Sequence, residues 1–129
     1  MSYRSEIAIR LDLPKGIKST NVINLIETET KKKIKNMFEK VIIDDIWNSI
    51  ERITLYHSDI KWNDLEDSSI NGFYKFLRFF RKIINENKKN IDSKEFYVEE
   101  LNFNFVGAYH IIRIGESLDD IETESFGNV

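Results

Sequence analysis

The chain has 129 residues, of which 22 are acidic and 19 are basic, so its formal net charge at pH 7 is −3. It contains no cysteine, which excludes disulfide bonds, thiolate catalysis and cysteine-ligated metal sites. The length predicts a single domain over residues 1–129, and no apolar run approaches the roughly 18 residues of a membrane span. The first residues also lack the apolar stretch of a signal peptide, and we therefore expect a cytoplasmic protein.

The first half of the chain predicts a strand followed by a long helix. Residues 5–13 alternate between apolar and polar side chains, and Pro14 ends this half-buried strand. Apolar residues then recur at helical spacing from Val22 to about Ile43, which predicts one helix with an N-cap at Ser19 or Thr20. We expect Ile46-Trp47 to form a short helical turn behind it.

The second half predicts a strand at residues 52–57, a loop at residues 59–64 and a helix over residues 70–84. Residues 87–90 then form a polar loop. Residues 96–105 and 109–114 predict the last two strands, and a change of parity near residue 99 indicates either a bulge or two separate short strands. Residues beyond 115 have no core pattern, so we expect a mobile acidic tail from about residue 117.

The order β-α-β-α-β-β predicts an α+β fold. The closest common architecture is a variant of the ferredoxin-like fold, in which two helices pack on one face of a mixed or antiparallel sheet.

A cluster of carboxylates follows the last predicted strand. Clustered carboxylates could hold a hard cation, but their spacing does not match a calcium loop, and we expect no metal site. A contact surface for a basic partner is the better interpretation, because acidic clusters steer cationic surfaces together. The residues of this surface are Glu116, Asp119, Asp120, Glu122 and Glu124.

Arg113 is the one charged residue inside an apolar strand-like run. A buried guanidinium must be paired, and the nearby residues Glu116, Asp119 and Asp120 are candidate partners. The sequence favours a structural ion pair, with an anion contact as the alternative.

The helix over residues 70–84 carries a basic outer stripe of Lys75, Arg78 and Lys82 beside Phe79. Basic residues next to aromatic ones can bind nucleic acid, but one such stripe on an acidic chain favours an ordinary solvated helix face. Phe79 then indicates a self-association or partner surface.

His57 and His110 are the only histidines, and both follow the apolar parity of their strands. No serine or threonine stands in a nucleophile motif near either histidine. We therefore expect a protein that is not an enzyme, with no catalytic residues and no cofactor.

Three short motifs resemble those of a family of small uncharacterised proteins of tailed bacteriophages and prophages. They are Tyr3-Arg4-Ser5 before the first strand, Lys61-Trp62 in the middle, and Ile112-Arg113-Ile114-Gly115-Glu116 followed by Asp119-Asp120-Ile121-Glu122 at the end. Members of that family typically open with Tyr-Arg-Ser and close with Ile-Arg-Ile-Gly-Glu, a short spacer, Asp-Asp and a further acid.

The resemblance implies a non-enzymatic protein that inhibits or modulates a host factor in the host cytoplasm. An anti-CRISPR or other anti-defence inhibitor that covers the basic groove of a nuclease with its acidic surface is one form of that function. Phe79 and Trp62 are the candidate apolar anchors of the contact. The alternative is a protein that binds or sequesters a phosphate or nucleotide through Arg4, Lys61 and Arg113.

Overall fold

The computed structural model describes residues 4–47, 50–63, 67–90, 97–98, 103–104, 106–115 and 121–127. Strands and helices in these ranges are numbered together in chain order. They are β1 (Ser5–Asp12), α1 (Ser19–Thr30), α2 (Ile34–Met37), β2 (Lys40–Trp47), β3 (Ile50–Ile60), α3 (Ser68–Asn90), β4 (Tyr97–Val98), β5 (Phe103–Asn104), β6 (Ala108–Ile114) and β7 (Ile121–Gly127).

Five of these strands form one antiparallel sheet in the order β2-β3-β1-β6-β7, and β4 pairs with β5 in a separate two-stranded sheet. The succession β1, α1, β2, β3, α3, β6 is the β-α-β-β-α-β order of the ferredoxin-like motif, with β3 lying between β1 and β2. The short β4–β5 hairpin is inserted before β6, and β7 extends the sheet beyond it. The α+β class with helices on one sheet face is confirmed, and the topology is compatible with a ferredoxin-like variant.

The hydrophobic core lies between the helices and the inner sheet face. The alternation of β1 buries Ile7, Ile9 and Leu11 completely, since side chains two apart point to the same face. The apolar stripe of α3 packs onto them with Ile70, Phe73, Phe76, Leu77, Phe80 and Ile84, each at most 2% exposed. Among the described residues, no helix is long and apolar enough to span a membrane.

Helix α3 crosses α1 at Gly72, where the two backbones touch. A Cβ atom added at Gly72 would lie 2.1 Å from the carbonyl oxygen of Glu29 and 2.9 Å from Cα of Thr30. Both neighbours belong to the backbone of α1, so they cannot rotate away as a side-chain end could. The two helices can therefore approach this closely only because the residue at position 72 is glycine, which has no Cβ atom.

The prediction of one helix from Val22 to about Ile43 is wrong beyond Thr30, where α1 ends. Lys31 adopts a left-handed conformation (φ 59°) and ends α1, and the single turn α2 follows. Residues 40–47 form strand β2, which includes the predicted helical turn at Ile46-Trp47. Antiparallel pairing of β2 with β3 overrides the helical spacing, and β-branched residues such as Val41 and Ile42 favour the extended backbone.

The predicted N-cap at Ser19 or Thr20 is displaced, because Lys18 is the N-cap of α1. The carboxylate of Glu51 on β3 accepts hydrogen bonds from the backbone N–H of Ser19 (3.1 Å) and from its hydroxyl (2.9 Å). A carboxylate from the neighbouring strand therefore performs the capping that the local sequence does not supply.

Toward the C-terminus the structure differs from two predictions and decides between the two alternatives of a third. Residues 87–90 continue α3 and do not form the predicted loop. Two short strands, β4 and β5, stand where the parity change allowed either a bulge or two strands. Residues 121–127, within the predicted acidic tail, form strand β7, which pairs with β6 from Ala108↔Gly127 to Ile114↔Ile121.

Substitution of Gly72 by alanine tests the helix crossing. In a helix interior this change is ordinarily stabilising by roughly 0.5–1 kcal/mol. Here the methyl group overlaps the backbone of α1, so we expect Gly72→Ala to lower the free energy of unfolding by about 1–3 kcal/mol. Urea unfolding measures it, with the exposed helix residue substitution Lys75→Ala as the control. A gain in stability for Gly72→Ala would contradict the close crossing.

Candidate functional site

The predicted acidic surface is only partly placed by the structure. Glu116, Asp119 and Asp120 lie outside the described residues, while Glu122 and Glu124 belong to β7. Their register partners on β6 are Arg113 and Ile111. Ile111 is buried on the helical side of the sheet, so the two carboxylates also face that side.

Glu124 takes part in a polar network that joins β7 to α3. Arg81 on α3 donates from Nη2 to Oε1 of Glu124 (2.7 Å) and from Nε to the Tyr109 hydroxyl (2.7 Å). That hydroxyl donates to the same Oε1 of Glu124 at 2.9 Å. Burial raises the pKa of Tyr109 to about 12, so it keeps this proton at neutral pH.

Aromatic rings complete the same contact. The guanidinium of Arg81 lies 5.6 Å from the ring centroid of Tyr109 and 5.3 Å from that of Phe126, which stack on each other. Arg81 therefore compensates the charge of Glu124 and covers the only aromatic side chain of β7. Glu124 contributes more to holding β7 than to an open acidic surface.

Arg113 forms an ion pair with Glu122, whereas the partners predicted for it, Glu116, Asp119 and Asp120, lie outside the described residues. Its Nη1 lies 3.4 Å from Oε2 of Glu122, and its Nε donates to the Ser5 hydroxyl at 2.9 Å. The side chain of Glu122 is 68% exposed, whereas that of Arg113 is 23% exposed. Arg113 thus links β6, β7 and the start of β1.

The two candidate apolar anchors have opposite positions. Phe79 is exposed on α3, as expected. Trp62 is 3% exposed, packs against Phe38 and Phe73, and donates its indole N–H to the Tyr74 hydroxyl (2.9 Å). The prediction of Trp62 as a surface anchor is therefore wrong, because a tryptophan in a polar segment here fills the core.

Arg4 and Lys61 line one cleft of about 300 Å3 at the end of the sheet, together with Lys32, His57 and Asp59. Asp59 accepts a hydrogen bond from Nε of Arg4 at 2.6 Å. Within the described residues, no carboxylate forms an ion pair with Lys32 or Lys61, but Asp67 also lines this Arg4 cleft, so three cations there face two carboxylates. Arg113 does not line the cleft, so the structure brings together only two of the three cations that were predicted to bind a ligand.

The opposite sheet face carries no helix of the described chain. It presents the even-numbered residues of β1 and their register partners, and we call this surface the helix-free face. Its members are Glu6, Ala8, Arg10 and Asp12 of β1, Lys40, Ile42 and Asp44 of β2, Arg52, Thr54 and Tyr56 of β3, Ala108, His110, Ile112 and Ile114 of β6, and Ile121, Thr123 and Ser125 of β7. Ile42, Ile112 and Ile121 are 46%, 47% and 55% exposed.

A charged cluster occupies one end of the helix-free face. Asp12 is 5% exposed and receives Arg52 in a two-point contact, with Nε–Oδ1 at 2.6 Å and Nη2–Oδ2 at 3.3 Å. Nε of Arg10 lies 3.5 Å from Asp12 without forming a hydrogen bond. Burial, followed by the charge of Arg10, lowers the pKa of His110, so its imidazole is neutral at pH 7.

Arg10, Arg52 and Asp12 are not among the site residues predicted from the sequence. Their signal was present in the alternation of β1, which places Arg10 and Asp12 opposite the core positions. The missing information was the register, which brings Arg52 beside Asp12 and His110 beside Arg10. No three histidine, aspartate or glutamate side chains of the described ranges are close enough to hold a metal ion.

Comparison of the chain with protein-family models, curated proteins and solved structures finds no match. The resemblance to phage proteins therefore stays a prediction from the motifs. Conclusions about function depend on the surfaces described above.

The two described carboxylates of β7 differ in their contacts, and paired substitutions can separate them. Glu124→Ala removes an acceptor shared by Arg81 and Tyr109, and we expect it to lower the free energy of unfolding by about 1 kcal/mol. Glu122→Ala removes an exposed, longer ion pair and should change it by only about 0–0.5 kcal/mol. Chemical denaturation of both variants measures the difference, and equal effects would argue against the Arg81 network.

Proposed function

We propose that this chain is a non-enzymatic binding protein of phage or prophage origin that inhibits or modulates a host protein. The observation that carries the proposal is the helix-free face, on which Ile112 and Ile121 are about half exposed. Ile114 lies opposite Ile121 on the neighbouring strand, which makes the three isoleucines adjacent. Contiguous exposed apolar side chains of this kind mark interaction surfaces.

The position of these isoleucines adds a second means of contact. They lie on β6 and β7, and β7 is the last strand of the described sheet on that side. An edge strand offers unpaired backbone N–H and C=O groups to an extended segment of a partner. A partner could therefore pair with the backbone of β7 while it covers the isoleucines.

The acidic surface has a narrower role in this proposal than the sequence alone indicated. Arg113 and Arg81 compensate Glu122 and Glu124, so these two carboxylates add little net negative charge. Groove occlusion of a nuclease would depend mainly on Glu116, Asp119 and Asp120. A CRISPR or other defence nuclease with a basic groove is the partner class that such a mechanism requires.

Affinity capture from host lysate, followed by native mass spectrometry, tests the proposal with a matched pair of variants. Ile112→Asp places a charge on the helix-free face, whereas Ile43→Asp places one at a similarly exposed position (45%) on the other side of the sheet. We expect Ile112→Asp to weaken capture of a stoichiometric partner roughly tenfold or more, and Ile43→Asp to leave it unchanged.

Two outcomes would reject parts of this proposal. Equal capture by wild type and Ile112→Asp would remove the helix-free face from the contact. Unchanged capture by a variant combining Asp119→Lys with Asp120→Lys would remove the acidic cluster. Circular dichroism and thermal unfolding of each variant establish that the fold is retained.

Binding of a phosphate or nucleotide is a second candidate function, and the Arg4 cleft favours it. The cleft brings together Arg4, Lys32 and Lys61, and phosphate groups are bound by such clusters of cations. Its volume of about 300 Å3 lies at the lower end of the roughly 300–1,000 Å3 typical of small-molecule sites. This function requires no protein partner.

Thermal stabilisation by nucleotides tests the second candidate. If the cleft is a binding site, ATP should raise the melting temperature of the wild type in a saturable manner. The combined substitution Lys32→Gln and Lys61→Gln should abolish that shift, because it removes two of the three cations of the cleft. Arg113→Gln, outside the cleft, is the matched control and should preserve the shift. No saturable shift in the wild type would reject nucleotide binding.

A further inference from the structure

Strand β2 forms the edge of the described five-stranded sheet that lies opposite β7. It pairs with β3 on one side, and no other strand of the described ranges pairs with its outer side. The two isoleucines at its centre point to opposite faces of the sheet, and Ile42 and Ile43 are 46% and 45% exposed. An edge strand with exposed apolar side chains on both faces is a template for pairing with another chain.

The sequence of β2 is complementary to itself when it is read in the opposite direction. Lys40 and Asp44 lie two positions before and two positions after Ile42. If two β2 strands pair antiparallel about a two-fold axis at Ile42, Lys40 of each copy lies opposite Asp44 of the other. Ile42 then lies opposite its own counterpart, and Val41 lies opposite Ile43. Every cross-strand pair of this arrangement is either oppositely charged or apolar.

Such pairing would cover side chains on both faces of the sheet at once. Lys40, Ile42 and Asp44 belong to the helix-free face, so the two charged pairs would flank the contact between the isoleucines there. Val41 and Ile43 face the helical side, where each would pack against the other residue of the second copy. Apolar and oppositely charged cross-strand pairs both stabilise a sheet.

The charged side chains of β2 are available for this contact. Both Lys40 and Asp44 are exposed, and neither forms an ion pair with the described residues of its own chain. Asp44 lies opposite Arg52 on β3, but Arg52 directs Nε and Nη2 to the carboxylate of Asp12 at 2.6 Å and 3.3 Å. The ammonium group of Lys40 lies 5.7 Å from the ring centroid of Tyr56, and a carboxylate can approach it from the outer side of β2.

The alternative symmetric registers of the same two strands are unfavourable. A two-fold axis at Ile43 would place Ile42 opposite Asp44, and an axis at Val41 would place Ile42 opposite Lys40. An axis at Lys40 or at Asp44 would place like charges opposite each other, which destabilises a strand pair. The charges of β2 therefore select the axis at Ile42.

The pairing ends at Asp44. The next residue, Asp45, would lie opposite Glu39 of the second copy, where like charges are unfavourable. Glu39 precedes β2, and its carboxylate accepts hydrogen bonds from the backbone N–H (2.8 Å) and the hydroxyl of Ser58 in its own chain. The contact is therefore confined to residues 40–44 of each copy, and an interface of this small extent forms a weak dimer.

We propose that two copies of this chain associate through residues 40–44 of β2, which pair antiparallel about a two-fold axis at Ile42 and join the two sheets into one. This inference is independent of the host partner and of the Arg4 cleft, because the partner surface lies on β6 and β7 at the opposite edge of the sheet. The dimer leaves β7 exposed, so capture of a host protein does not depend on it.

Reversal of the two charges tests the register. Sedimentation of the full wild-type chain over roughly 1 μM to 1 mM should show a concentration-dependent equilibrium between monomer and dimer. Lys40→Glu and Asp44→Lys each place like charges opposite each other twice in a dimer, so each should weaken self-association roughly tenfold or more. Lys75→Glu and Glu86→Lys make the same charge changes at exposed positions of α3 and should leave it unchanged.

Two combinations of these substitutions distinguish the proposed register from any other contact. A mixture of the Lys40→Glu chain with the Asp44→Lys chain should form a heterodimer, because opposite charges then meet in both pairs. The double variant should self-associate as the wild type does. Native mass spectrometry identifies the heterodimer, and circular dichroism establishes that each variant folds.

Three results would overturn the proposal. A wild type that stays monomeric up to roughly 1 mM would reject the dimer. Self-association that neither single reversal weakens would assign the contact to another surface. Failure of the mixture and of the double variant to associate, with every chain folded, would reject the pairing of Lys40 with Asp44.

Discussion

The structure depends on the central strand β1, which is paired from Ile7 to Asp12 with β3 on one side and with β6 on the other. Ile7, Ile9 and Leu11 are fully buried beneath the helices, and the residues between them form the middle of the helix-free face. Because the side-chain period of a strand is two, a slip of one residue would exchange the two sets. Burial of these apolar side chains therefore also fixes where Arg10 and Asp12 stand. The core and the composition of the helix-free face are consequences of one register.

The same register explains why Asp12 on that face contacts Arg52 more closely than Arg10. Asp12 lies opposite Arg52, so a nearly buried carboxylate meets a guanidinium that can contact both of its oxygens. Leaving Asp12 unpaired at that depth would be costly, although a buried ion pair by itself is weak evidence for stability. Arg10 adds a second cation that the fold does not need for this purpose.

The sequence predicts correctly those elements whose own side chains form the hydrophobic core. β1 and α3 are of this kind, since their apolar side chains recur with the period of a strand and of a helix. β2 and β7 are edge strands, and their pairing partners determine their conformation; Ile42 and Ile43 are about half exposed on opposite faces, so no alternation is visible. The candidate site follows the same division. That Arg113 needs an ionic partner could be inferred from its position inside an apolar run, although its described partner Glu122 was not predicted. The ion pair of Asp12 with Arg52 joins residues 40 positions apart in sequence, so it depends on the register.

Strand β7 shows how the chain holds an edge that has almost no core residues of its own. Its described side chains are exposed or half-buried, so apolar burial cannot be the main attachment. Backbone pairing with β6 is supplemented by Arg81, which reaches from α3 to Glu124 and lies over Tyr109 and Phe126. Because Ile121 belongs to this strand, these polar and aromatic contacts on the helical side determine how the isoleucines are presented on the helix-free side. Glu124, on the helical side of β7, therefore helps to position the proposed interaction surface on the opposite side of the sheet.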